Sequence, residues 1–129
     1  MRDGMNLQIL YARDLSVARR RFTIAHEIGH VVLQKVAHGR VSPSNELERL
    51  CDMFATELLM PKPVFLREID HDFHLSGLPD LAHRFRVSLT SAAIRLAEIR
   101  KVSIFETDKT EVRWGVGIVR RGPRLHSFA

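Results

Sequence analysis

The chain of 129 residues holds a single cysteine. One cysteine makes no internal disulfide, so a reducing cytosol fits best and a cytoplasmic location is expected. No apolar run approaches roughly 18 residues, which excludes a membrane-spanning helix. The N-terminus, Met1-Arg2-Asp3-Gly4, lacks the apolar core of a signal peptide. Internal repeats and low-complexity tracts are absent too, which excludes solenoids and arrays. What is present is ordinary globular usage, 45% apolar and 27% charged, so wholesale disorder and collagen are excluded as well. A chain of this length is expected to form one domain, residues 1–129, burying about two-thirds of its open-chain surface.

The charge excess is modest. Lys and Arg number 20 against 15 Asp and Glu, for a formal +5. The cations are spread along the chain and are densest at Arg19-Arg20-Arg21 and at Arg120-Arg121 with Arg124. Neither spot is a nucleic-acid motif, and a solvated basic surface is the preferred reading.

Patterning divides the chain into helices flanked by strands. Leu7, Ile9 and Tyr11 alternate as in a short N-terminal strand. Asp14 and Ser16 offer caps for a helix over 17–36. A second helix is predicted over about 44–60, with an apolar set of Leu47, Leu50, Cys51, Phe54, Ala55, Leu58 and Leu59 at spacings of three and four. Pro61 and Pro63 stop it. A short helix over 63–70, a turn at Ser76-Gly77-Leu78-Pro79, and helices at about 79–86 and 89–100 follow, with Ser88 capping the last. Residues 102–106 and 111–119 read as a C-terminal β-hairpin. The expected class is α+β: a helical core with a short strand before it and a hairpin after it.

The sharpest feature is His26-Glu27-Ile28-Gly29-His30. Residues four apart on a helix differ by about 40° and one turn of rise, so both imidazoles project from one face and can reach one metal ion. Glu27 is displaced around the axis, where it is suited to take a proton from a metal-bound water as a general base. Zinc suits imidazole ligands with one position open to water. Chance produces this pattern in about one chain of this size in a few hundred. Phe22, Ala25, Gly29 and Leu33 share the stripe with His26 and His30, so this face points inward. Two histidines and a glutamate are costly to bury there without a partner. Gly29 in mid-helix costs about 1 kcal/mol relative to alanine; close approach by another backbone or by substrate would explain it, with simple tolerance as the alternative.

A third ligand is required. The extended motif with a further glycine and histidine is excluded, since Leu33 and Val36 occupy those places. The second helix offers Glu46, Glu48, Asp52 and Glu57. Glu48 and Asp52 lie four apart on one face, whereas Glu46 faces about 200° from Glu48. Asp52 suits an outer role, holding the free ring nitrogen of a ligand histidine. Glu48 is the favoured ligand, with a capping pair between Asn45 and Glu48 as its competing role.

The stretch RRRFTIAHEIGHVVL (19–33), followed by ELERLCDMFATELLMP (46–61), resembles the ImmA/IrrE family of zinc metallopeptidases. That family is similar to the gluzincins, with HExxH on one helix and a glutamate ligand on the next. The resemblance implies a small zincin-like metallopeptidase domain, with Zn2+ held by His26, His30 and Glu48, Glu27 catalytic and Asp52 supporting. Phe54-Ala55 and Leu58-Leu59-Met60-Pro61 fall on the family's second motif, which resembles E-x-x-A-N-x-F-A-x-x-L-L-M-P. Cys51 stands in place of its alanine and Asp52 in place of its asparagine. The helical region 81–99 is also similar to the family, so the resemblance covers roughly residues 7–100. The family usually carries further chain before the first strand, so a trimmed form is expected.

The resemblance implies peptide-bond hydrolysis, with a helix-turn-helix transcriptional repressor as protein substrate and a role in stress response. Two alternatives come from other classes. Residues 79–99 can be read as helix-turn-helix with Arg95 and Arg100 exposed, but Ala92, Ala93, Ile94, Leu96, Ala97 and Ile99 leave few side chains to read bases, so direct nucleic-acid binding is disfavoured. A catalytically idle metal-binding interaction domain is the other. Cys51 reads as a small core residue rather than a nucleophile. The oxyanion donor stays open among His38, His71, His74, His83, His126, Tyr11 and Arg113. No feature of the sequence sets an oligomeric state.

Overall fold

A computed structural model describes residues 7–101 and the backbone of 104–106, 112–114 and 125–126. Helix α1 spans Val17–Val36. Ser16 Oγ accepts the Arg19 N–H at 3.2 Å, which satisfies one of the helix's orphan donors. The helix ends where His38 and Gly39 turn to positive φ, and the Gly39 N–H donates to Gln34 O at 2.8 Å. Helix α2 spans Asn45–Leu59. Its cap is Ser44, whose Oγ accepts the Leu47 N–H at 3.1 Å, so no Asn45–Glu48 capping pair is needed.

Two compact units make up the chain, Met1–Ala55 and Thr56–Ala129, and the division falls inside α2. In the first unit Leu47, Cys51 and Ala55 are the buried positions of α2. Leu50 and Leu58, counted in the apolar stripe from sequence, are 37% and 49% exposed. The covered strip is narrower than the pattern predicts.

The second unit holds α3 (Lys62–Glu68), a 3-10 turn (Leu75–Gly77), α4 (Leu78–Phe85) and α5 (Leu89–Arg100). Where the sequence marks a turn at 76–79, α4 already begins at Leu78. Ser88 caps α5 as expected, accepting the Ser91 N–H at 3.0 Å. Met60, Phe65, Leu78 and Leu96 are fully buried at the centre of this unit, each stabilising it by about 1.5–3 kcal/mol. The Phe65 and Phe85 rings stack with centroids 5.3 Å apart.

Arg95 is 4% exposed, contrary to its reading as a surface cation. Its Nε donates to Met60 O at 3.1 Å, one terminal nitrogen donates to Glu98 at 3.1 Å, and the other pairs with Glu57. Arg100 is also engaged, donating to the carbonyls of Ile69 and Asp70. Both arginines considered for base reading thus hold the unit together instead. A buried guanidinium needs this set of acceptors, since an unpaired charge there is costly.

Glu57 also accepts the Lys62 N–H at 3.0 Å. That bond, and then Arg95, hold its carboxyl below the ordinary value of 4.5. A depressed folded pKa adds stability above the unfolded value and loses it as pH falls through the folded one. Glu57→Gln is therefore expected to narrow the stability gap between pH 7 and the acid side of 4.5, read by denaturant titration at several pH values.

Residues 7–12 form no strand. Leu7, Leu10 and Tyr11 are 63%, 87% and 47% exposed, and an alternating segment is marginal without a neighbouring strand. At the other end, β1 (Ile104–Glu106) lies between β2 (Val112–Trp114) and β3 (Leu125–His126) in a three-stranded antiparallel sheet, so a third strand joins the two of the expected hairpin. Ile104 pairs with Trp114 on one side and with His126 on the other. The segment between β1 and β2 lies outside the described residues. No helix among the described residues is long and apolar enough to cross a membrane.

Candidate metal centre

The centre lies in the first unit, where α1 and α2 meet. Their approach depends on Gly29. A Cβ placed there would stand 3.1 Å from Phe54 Cδ1 and 3.3 Å from Cys51 Cα. The second neighbour is backbone, which does not swing aside. Close backbone approach therefore explains the mid-helix glycine. Gly29→Ala gains about 1 kcal/mol of helix propensity but incurs an overpacking cost of about 1–3 kcal/mol. The expected result is a lower unfolding free energy, by up to about 2 kcal/mol. An unchanged or raised value by urea titration would show that α2 can yield.

This approach brings four of the residues singled out from sequence together. His26 and His30 face each other with Nε2 atoms 3.1 Å apart and ring planes at 70°. The Glu48 carboxylate spans both: Oε2 is 3.1 Å from His26 Nε2 and Oε1 is 3.2 Å from His30 Nε2. His26 Nδ1 meets Asp52 Oδ1 at 2.8 Å. An ionised carboxylate can only accept, so His26 Nδ1 donates to Asp52 Oδ1.

The chemistry of this donor set points to a cation. The Nε2 atoms of His26 and His30 and the two oxygens of Glu48 converge, with contacts of 3.1–3.2 Å between them. Such atoms repel unless a proton or a cation lies among them. Zinc held tetrahedrally at about 2.0–2.1 Å sets its ligands about 3.3–3.4 Å apart, close to the observed 3.1 and 3.2 Å. The three groups fit a zinc ion with little movement. The histidine side chains are 15% and 24% exposed and those of Glu48 and Asp52 are 55% and 59%, so the centre opens to solvent on the α2 carboxylate side.

Glu27 sits half-buried on α1 beside His26 and has no hydrogen-bond or ion-pair partner among the described residues. Glu46 is turned away and pairs with Arg49 at 2.8 Å, which holds its carboxyl below the ordinary range. Glu57 is used in the second unit. Of the four carboxylates on α2, only Glu48 and Asp52 meet the histidines.

Sequence reasoning misses one potential donor. The Cys51 sulfur lies within 4.8 Å of a ring nitrogen on each of His26 and His30. The residue is fully buried, as a core residue should be. Burial, followed by the charges of Glu48, Asp52 and Glu27, pushes its thiol above the ordinary value. Its spacing of three from Glu48 is the available signal, since such pairs neighbour each other on a helix. Tyr11, a candidate oxyanion donor, instead lies beneath the Arg20 guanidinium, 5.7 Å from ring centre to carbon.

A profile of the peptidase M78 family, described as the IrrE N-terminal-like domain, matches residues 2–97. The chain is also 35% identical to the radiation response metalloprotease IrrE of Deinococcus radiodurans over 67% of its own length. It spans 29% of that relative. No solved structure gives a significant match. The HExxH helix, the carboxylate helix that faces it and the match over residues 2–97 lead to one assignment: the chain belongs to the IrrE N-terminal-like domain family.

Proposed function

We propose that the chain is a zinc-dependent endopeptidase, with residues 1–129 serving one metallopeptidase domain. The observation that carries this reading is the Glu48 carboxylate placed against both imidazoles of the HExxH helix, at 3.1 and 3.2 Å. In the proposed site His26, His30 and Glu48 hold the ion, and Asp52 fixes the tautomer and orientation of His26. A bound zinc supplies Lewis acidity, polarising the scissile carbonyl and easing ionisation of water. Glu27, adjacent and unpaired, takes the proton of the attacking water and returns it to the leaving amine. The centre opens to solvent on the side of Glu48 and Asp52, from which a peptide would approach.

Membership of the family and the metalloprotease named above support a protein substrate. The finer reading is site-specific cleavage of a helix-turn-helix repressor in a cytoplasmic stress response, supported by the family resemblance and by the radiation response in the relative's name. The test is incubation of the zinc-loaded chain with the helix-turn-helix repressor encoded beside it, followed by mass spectrometry. Cleavage at one or a few bonds is expected, and it should stop on chelation. An intact repressor with zinc bound would favour the idle interaction domain instead.

Asp52→Asn keeps the shape of the side chain but weakens its hold on His26 Nδ1. Metal affinity is expected to fall by about 10–100-fold without loss of the site, as read by competition with a chelating dye. A zinc-bound structure with a metal–oxygen distance of about 2.0–2.2 Å to Asp52 would make it a ligand and overturn the orienting role.

A further inference from the structure

We infer that Arg19 and Arg20 form a specificity site on α1 that takes an acidic side chain of the protein substrate, about three residues along the peptide from the bond that is cut; this rests on the peptidase reading proposed above. Arg19 precedes His26 by seven residues, and Arg20 precedes Glu27 by seven. Such a step falls only about 20° short of two full turns, so each arginine lies nearly in line with its counterpart, about 10.5 Å nearer the helix start. An extended peptide rises about 3.3 Å per residue. A substrate laid along this face, with its scissile bond at Glu27, therefore carries roughly its third residue from the cut past the two guanidinium groups.

Neither cation is neutralised from within the described chain. Arg19 is exposed and Arg20 half-buried, and among the described residues neither side chain has an ion-pair partner. The first turn of α1 holds no acidic side chain, so two like charges stand near the helix end that itself favours anions. Arg20 is also held in place. Its guanidinium carbon lies 5.7 Å from the centre of the Tyr11 ring, and its Nε is buried without a hydrogen-bond partner. A cation that serves only to be solvated needs no such fixing, and a buried N–H without an acceptor is costly. A guanidinium already fixed against a ring loses less freedom when it binds. Its terminal nitrogens suit a carboxylate, which accepts two parallel N–H bonds from one arginine. Alignment with Glu27 favours a peptide over nucleic acid, because only the chain being cut is held in register with that residue.

The test separates binding from cutting. The zinc-loaded Glu27→Gln chain is titrated with the repressor encoded beside it, at low and at moderate salt. Adding Arg19→Gln/Arg20→Gln is expected to weaken binding by about tenfold or more, with zinc content and the unfolding curve unchanged. Added salt should narrow the difference. With Glu27 in place, the same pair of changes should raise KM by a similar factor and leave kcat nearly the same. The mapped bond should have an acidic residue about two to four positions away. Changing that acid to lysine should reproduce the loss, and Arg19→Glu/Arg20→Glu should restore cleavage of the lysine form. Cleavage at the parent's KM by the glutamine pair, or a bond with no acid in that range, would overturn the site and leave the peptidase reading standing. A repressor bound through the arginines but never cut by the zinc-loaded parent would overturn the peptidase reading, and the specificity role with it. Operator DNA that binds the parent and is released by the glutamine pair would assign the two cations to nucleic acid and overturn the inference.

Discussion

Replacing Glu27 with glutamine is expected to abolish repressor cleavage while leaving the metal bound. Glu27→Gln keeps the size and reach of the side chain and removes only its capacity to accept a proton. The three proposed ligands remain, and so does the Gly29 contact that sets the spacing of α1 and α2. The loss should be at least the roughly 10²–10⁴-fold that acid–base catalysis supplies. The competing role for Glu27 is a structural acid paired with a cation. Among the described residues no such cation is found, and the side chain is only half-buried. As a structural acid, its replacement would lower stability a little and leave cleavage running. Matched zinc content, an unchanged unfolding curve and lost cleavage are the expected triple. Cleavage of the cognate repressor at the parent's rate would remove Glu27 from the chemistry. Casein and short peptides are poor probes for a selective protease.

The second large effect is expected at Glu48. Its two oxygens contact the two imidazoles separately, so Glu48→Gln removes the negative charge that offsets the cation. Metal affinity should fall by more than the about 10–100-fold expected for an outer-shell change. Glu46→Gln is the matched control, two residues away. Glu46 is occupied by Arg49 on the far side of the helix, so its loss should remove only a weak surface ion pair and leave the metal alone. Equal affinity in Glu48→Gln and the parent would move the third ligand elsewhere, with Cys51 first in line.

Most of this centre is legible in the sequence. A four-residue spacing of histidines fixes a shared helix face by geometry alone, and Ser16 and the prolines after α2 bracket the two helices within a residue or two. Gly29 signals a close neighbour through its helix cost, and the neighbour is the α2 backbone at Cys51. What the sequence hides depends on contacts distant along the chain. Arg95 looks like a surface cation until Glu57, 38 residues before it, and the Met60 carbonyl are folded onto it. Leu7, Ile9 and Tyr11 alternate like a strand, yet alternation does not supply a partner edge. The strand Leu125–His126 is two residues long, below what periodicity can detect. Cys51 reads as core from its apolar surroundings, which are real; its nearness to the histidines requires the register of α2 against α1.

The central claim is that His26, His30 and Glu48 hold a catalytic zinc ion. It is tested most directly by metal analysis of the chain purified without chelators from zinc-sufficient cells. One zinc per chain is expected in the parent and in Glu27→Gln, with none in the His26→Ala/His30→Ala double variant, provided that variant stays folded by circular dichroism. A zinc-free parent, or zinc retained at full occupancy by the folded double variant, would contradict it.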